Sequence, residues 1–424
     1  MDLDGATAVK VRSRGPAASG SVAALTIAAH PDPSRVGDRL VLTALAAGRE
    51  VELARQSPDF VRPSDGQRAP LGDRCLSRRP IRLVPASFER ILIARGDSTT
   101  IVEIGDRELD AAELGPLAAG EGVPIALADR LVLVLHLVEA ADVDDAAAGD
   151  DLGMIGSGSG VRRVRREIAQ IRDLPVPVLV RGETGTGREL VARALHEGSA
   201  RRGGPFVSVN LAAIAKELAA AELFGAVRGA YTGAAGEREG YFRAAAGGTL
   251  FLDEVGEASP EVQAMLLRVI ETGELYPVGG PKPIATDVRL IAATDARLEA
   301  RIDDGRFKAP LLHRLAGHEV HLPPLRDRPE DIGPLFLHFA REELAATGEL
   351  DRLAPRDAAS EPWLPAAVAA ALVRFQWPGN IRQLRNVTRQ LVVASRGREQ
   401  VEVPARLAAE LAAGARPLPV ARGS

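Results

Sequence analysis

The sequence predicts a multidomain chain: an N-terminal all-β sandwich, then an α/β P-loop domain, then a small α-helical lid. Three observations predict it. Short apolar runs separated by turn residues fill residues 22–138; strand-length apolar runs then alternate with helical segments, the first closed by a glycine-rich loop; and beyond Pro329 only helical spacing remains. With 424 residues the chain is long enough for two or three cores.

Taken in order, residues 1–20 lack any apolar pattern and read as a disordered N-terminus. Residues 21–139 carry the strand-like runs Leu25-Thr-Ile, Arg39-Leu-Val-Leu, Glu50-Val-Glu-Leu, Ile81-Arg-Leu-Val, Ile91-Leu-Ile and Leu131-Val-Leu-Val-Leu, punctuated by turns such as Pro63-Ser-Asp-Gly. Residues 140–152, rich in Ala and Asp, read as a linker. Residues 153–328 hold the runs Val176-Pro-Val-Leu-Val, Phe206-Val-Ser-Val, Thr249-Leu-Phe-Leu and Val288-Arg-Leu-Ile-Ala, with helical segments between them, which argues for a parallel sheet. Residues 329–400 form the lid, where Ile381, Leu384, Val387 and Leu391 recur at helical spacing, and residues 401–424 are a tail.

The composition is 46% hydrophobic and 26% charged, that of a globular protein. A net charge of −4 gives no general basic surface for nucleic acid. The single cysteine, Cys75, rules out an internal disulfide, and no apolar run is long enough for a signal core or a membrane span, so a cytoplasmic protein is expected.

The chemistry gathers at two motifs. Gly182, Glu183, Thr184, Gly185, Thr186, Gly187, Arg188 and Glu189 follow a strand and open a helix, where converging backbone N–H groups and the helix N-terminus favour phosphate. The strand Gly247-Gly-Thr-Leu-Phe-Leu ends in Asp253 and Glu254: in such sites the first acid holds Mg²⁺ and the second polarises the attacking water.

With these motifs in hand, residues 154–396 resemble the sigma-54 interaction AAA+ domain of bacterial enhancer-binding proteins. Ile155-Gly156-Ser resembles the segment bordering the adenine. Glu222-Leu-Phe-Gly225, followed by Gly229, Ala230, Tyr231, Thr232, Gly233 and Ala234, is similar to the loop that contacts sigma-54. Leu322-Pro-Pro-Leu-Arg-Asp-Arg-Pro-Glu-Asp-Ile332 and Trp377-Pro-Gly-Asn-Ile-Arg382 match later blocks. The resemblance implies an ATPase using ATP and Mg²⁺ in a homo-oligomeric ring, a hexamer, that acts on sigma-54 and RNA polymerase holoenzyme. It implies that Asn210 restrains Glu254, that Thr294 and Asp295 form a first sensor and Arg382 a second, and that Lys308 and Arg314 act in trans.

Four positions depart from the family pattern. The phosphate-loop lysine is Arg188, the sensor asparagine is Asp295, the first trans-acting arginine is Lys308, and Pro310 precedes Arg314. A planar guanidinium does not replace a compact ammonium between phosphates, so turnover is expected to fall while binding survives. The alternative is a nucleotide-binding, hydrolysis-impaired regulator that controls assembly of a partner ring.

The N-terminal sandwich resembles a forkhead-associated domain, which implies phospho-signalling and a phosphoprotein partner. Arg55, Ser77 and Arg78 match its phosphothreonine contacts; Pro80 stands where a histidine is usual. Plain surface residues and a phosphopeptide site are both open readings of these three. The tail holds no pair of helices joined by a turn, so no helix-turn-helix and no direct DNA contact are expected.

Overall fold

The structure is a computed structural model and describes residues 20–86, 90–105, 107–143, 152–230, 237–356 and 360–421. The N-terminal region is two antiparallel sheets packed on one core. The first runs Arg68–Ala69, Phe60–Val61, Arg39–Val41, Ser21–Ala29, Leu131–Glu139, Gly122–Leu127, Val102–Ile104; the second runs Val420–Ala421, Ala111–Leu114, Ile91–Ala94, Ile81–Pro85, Val51–Leu53. Pleating explains the unbroken run at 131–135. Leu131, Leu133 and Leu135 face the core between the sheets, whereas Val132 and Val134 face outward and join the core of the lid. A strand buried on both faces needs no polar alternation.

The next layer is a five-stranded parallel sheet in the order Phe206–Asn210, Thr249–Asp253, Arg289–Thr294, Val178–Arg181, His318–His321. Helices Ser159–Ile171, Arg188–Glu197 and Pro260–Thr272 pack against it. The last of these starts at Ser259, whose Oγ accepts from Val262 N at 3.3 Å, and stops at Gly273 in the left-handed region, φ 70°. The lid helices Ile332–Thr347, Ala366–Arg374, Asn380–Ala394 and Ala405–Ala413 share a core with the outer face of the first N-terminal sheet. Their approach is close enough that a Cβ on Gly333 would lie 2.4 Å from the carbonyl oxygen of Ala28.

Several elements differ from the sequence expectation. Gly122–Leu127, Ala111–Leu114 and His318–His321 are strands that the apolar runs did not single out. The stretch expected to be linker begins with a 3-10 turn, Ala140–Asp142, and Asp142 is buried against Arg166 at 2.9 Å; residues 144–151 lie outside the described residues. In the tail, Val401, Leu407 and Leu411 fill the lid core, and Val420–Ala421 forms a short strand where none was expected past Pro329, because it borrows its pairing from Ala111–Leu114. Residues 1–19 lie outside the described residues. Among those described, no helix is long and apolar enough to cross a membrane.

Candidate functional site at the phosphate loop

The strand Val178–Arg181 delivers the chain into the loop at 182–187, and Gly185 and Gly187 turn it with φ of 83° and 103°, which glycine adopts without strain. Gly185 also has no room for a side chain: a Cβ there would meet Gly379 O at 2.5 Å and the Cβ of Arg382 at 3.2 Å. The lid therefore sits directly on the loop. Ile381 N donates to Gly185 O at 3.0 Å, and Asn380 Nδ2 donates to Glu183 Oε2 and to Thr184 O, both at 3.1 Å. Glu183 is gripped a second time by Arg326, whose Nη1 donates to Oε2 at 2.8 Å, and this guanidinium holds the carboxyl below its ordinary range.

Parallel pairing brings Asp253 and Glu254 to the same edge, with Asn210 opposite Asp253 in the ladder. Glu254 sits in the left-handed region with φ 55°, a conformation a glutamate holds only when its surroundings impose it. Arg188 holds its side chain. Its Nη2 forms an ion pair with Asp253 Oδ1 at 2.9 Å and donates to Glu254 Oε1, and its Nη1 donates to Gly182 O at 3.1 Å. Burial pushes both carboxyls above their ordinary values, with the charge of Arg188 opposing.

The other expected residues fall into two groups. Close to the loop, Asp295 accepts from Thr184 Oγ1 at 2.8 Å, Thr186 Oγ1 donates to Glu183 O at 2.8 Å, and the carbonyl of buried Thr294 accepts from Gly182 N at 3.3 Å. Arg382 is exposed above Gly185. Further out, Asn210 uses its Oδ1 to cap Ala212 N at 2.9 Å, and Glu189 pairs with Arg193 at 2.7 Å while its charge still acts on Asp253. Lys308 and Arg314 are both exposed on or beside the helix Ala309–Leu315, with Arg314 Nε 3.2 Å from Glu271 Oε1. Pro310 lies in the first turn of that helix, where its missing N–H costs nothing, so it starts the helix rather than breaking it.

A cavity of about 240 Å³ opens beside the loop, lined by Met154, Ile155, Thr186, Gly187, Phe339 and Ile381 among others. The segment that enters it is fixed by Asp331, whose Oδ1 accepts from Ser157 N at 2.8 Å and Gly158 N at 3.0 Å; a Cβ on Gly156 would lie 2.5 Å from that carboxylate. Sequence reasoning missed Asp331, Asn380 and Arg326 as supports of the site. All three stand within the matched blocks, and only the packing of the lid on the loop reveals their task.

The loop at 229–234 has a firm base: Ala226 and Arg238 pair as an antiparallel bridge, and Ala230 N donates to Val227 O at 3.1 Å. Tyr231, Thr232, Gly233 and Ala234 lie outside the described residues. In the N-terminal region Arg55 and Ser77 are neighbours, Arg55 N donating to Ser77 O at 3.1 Å, while Arg78 is exposed.

Residues 154–321 match the sigma-54 interaction domain and residues 326–419 the AAA+ ATPase lid domain. The chain is 46% identical over 254 residues to the DNA-binding transcriptional regulator NtrC of Escherichia coli, covering 59% of this chain and 51% of that protein. It is 42% identical over 274 residues to the nitric oxide reductase transcription regulator NorR1 of Cupriavidus necator, covering 64% and 51%. The crystal structure of NtrX from Brucella abortus in complex with ATP aligns at 36% identity and a TM-score of 0.53, covering 61% of this chain and 57% of that one. The chain spans about half the length of the first two relatives. Its two matched regions run almost without a break from Met154 to Pro419, so this part of the chain is a sigma-54 interaction domain followed by an AAA+ ATPase lid domain.

Proposed function

We propose that the chain is an ATP-dependent activator of sigma-54 RNA polymerase holoenzyme that works as a homo-oligomeric ring, a hexamer. The observation that carries this reading is the phosphate loop itself: the lid residues Asn380 and Arg382 sit on one side of it, Arg188 ties it to Asp253 and Glu254, and a cavity lined by Thr186, Gly187 and Ile381 opens beside it. ATP lies with its base in the cavity bordered by Ile155 and Gly156 and its phosphates along residues 182–189. Oxygen donors at Asp253 suit Mg²⁺, which would supply charge at the phosphates; Glu254 orients water, Thr294 and Asp295 flank the terminal phosphate, and Arg382 closes over it. Arg314, exposed and paired with Glu271 at the surface, serves the neighbouring protomer in this reading, with Lys308 beside it. Gly229, Ala230, Tyr231, Thr232, Gly233 and Ala234 make the contact with sigma-54.

The test is ATP hydrolysis measured against protein concentration. Specific activity is expected to climb as rings assemble and to collapse in Arg314→Ala with binding retained. Concentration-independent turnover by a monomer would end the ring reading. Thr232→Ala is expected to keep hydrolysis and lose capture of sigma-54.

A second reading, a nucleotide-binding regulator impaired in hydrolysis, is favoured by the contact between Arg188 and Glu254. The N-terminal sheets serve as a forkhead-associated-like protein-contact module. Arg55, Ser77 and Arg78 are its candidate phosphothreonine contacts, weakened by Pro80, which lacks both imidazole and N–H.

A further inference from the structure

Arg188 is only 6% exposed, and its guanidinium contacts are to acceptors of the catalytic edge: Asp253 Oδ1, Glu254 Oε1 and Gly182 O. The two acids present the hard oxygen donors that a divalent cation takes. They already face a cation, one supplied by the chain itself. The Oδ1 of Asn210 caps Ala212, and an amide oxygen is in any case no partner for a carboxylate. The planar fork is what makes the arrangement possible. Two nitrogens of one guanidinium address a carbonyl on one side and two carboxylates on the other, whereas the point charge of a lysine cannot span the three with the same directionality.

We propose that Arg188 is a positioning residue that latches the carboxylate pair, closing Asp253 and Glu254 to a divalent cation for as long as no nucleotide is bound. This rests on the reading of the loop as a nucleotide site. A divalent ion would have to displace the guanidinium from the two acids, whose combined charge Arg188 already half neutralises. Arg188 thus provides a restraint on Glu254 from the phosphate loop itself. Its release is tied to the group that the loop binds.

The experiment is titration of the full chain with Mn²⁺ in the absence of nucleotide, with the free ion followed by its electron paramagnetic resonance signal. Arg188→Gln and Arg188→Ala are expected to bind one Mn²⁺ about tenfold more tightly than the parent, a change of ~1.4 kcal/mol. Adding Asp253→Asn to Arg188→Gln abolishes that gain. Arg188→Lys, the mildest change, gains about threefold because an ammonium leaves one carboxylate open, and it decides the matter should the other variants not fold. Equal Mn²⁺ affinity in parent and folded variants overturns the latch. As no nucleotide is present, that result leaves the ATP site standing. A parent that binds no ATP in a separate titration instead refutes the ATP site and leaves the Mn²⁺ result intact.

Discussion

A guanidinium set between two carboxylates alters what each acid can do, and the consequences at the scale of single residues are measurable. Arg188→Lys keeps the positive charge, shortens its reach and frees at least one acid, so turnover is expected to rise by about tenfold while ATP affinity stays within about threefold. A variant no faster than the parent would move the limitation to Asp295 or Lys308. Arg328 is a different case. It is 4% exposed, its Nε and Nη2 have no hydrogen-bond partner among the described residues, and it lines the cavity beside the loop. Burying such donors unpaired is costly, and a ligand bearing acceptors relieves it. Arg328→Leu is therefore expected to leave the melting temperature unchanged or raised, and to weaken nucleotide binding by about tenfold or more. Calorimetric titration and a melting curve on one preparation decide between the roles: a lower melting temperature with unchanged affinity would assign Arg328 to the fold. The motif made the identity of residue 188 legible in the sequence. Its partners were not, because they lie two strands away and are set by sheet order, and Arg328 read only as one letter of a matched block.

At the scale of elements, legibility followed the range of the forces. The helix Pro260–Thr272 carries its signals locally: Ser259 as cap, Pro260 in the first turn, Gly273 to stop it. The run at 131–135 was read as a strand from its β-branched and leucine content, yet the reason it is apolar at every position lies in the lid, far along the chain. The tail shows the limit most plainly. Leu407 and Leu411 are one turn apart on a helix that fills the lid core, and residues 416–421 strap the N-terminal sheet. Arg416 N donates to Arg374 O at 2.8 Å, Leu418 packs against the core between the two sheets, Gly115 N donates to Pro419 O at 2.9 Å, and Val420 pairs with Leu114. Nothing local in so short a run announces a strand, since its hydrogen bonds belong to a partner about three hundred residues earlier in the chain. Truncation after Gly414 is expected to expose the edge Ala111–Leu114, speeding amide exchange there by about tenfold or more while exchange in the parallel sheet stays unchanged. Unaltered exchange at that edge would show that the strap is not holding it.

On the scale of the whole molecule, the N-terminal region and the lid share one core, and a buried polar cluster sits at the edge of it where both meet the segment entering the cavity beside the phosphate loop. Arg39 Nη2 reaches from the first sheet to Ser157 O at 2.8 Å and Ser157 Oγ at 2.9 Å; His136 Nε2 lies 2.8 Å from Thr26 Oγ1, and its Nδ1 is 3.9 Å from Glu330 Oε2. Glu330 faces Asp331, Arg39, Arg328 and His136, and burial, reinforced by the charge of Asp331, pushes its carboxyl from 4.5 up to about 8. Burial, reinforced by the charge of Arg39, drives His136 from 6.5 down to about 3. The two groups act on stability in opposite senses. Between pH 4.5 and 8 the unfolded chain releases the proton of Glu330 while the folded chain keeps it, so stability is lost as pH rises. Between pH 3 and 6.5 the unfolded chain protonates His136 while the folded chain does not, so stability is gained as pH rises. They oppose one another between pH 4.5 and 6.5, and above 6.5 Glu330 acts alone of the two, with a ceiling of ~1.4 kcal/mol per pH unit. The melting temperature of the full chain is therefore expected to fall from pH 6.5 to 8, and Glu330→Gln, which keeps the shape and removes the proton, is expected to flatten that slope. A parent whose melting temperature holds level across this interval, or a variant that falls as steeply as the parent, would mean that the junction between the N-terminal sheets and the lid does not keep Glu330 neutral.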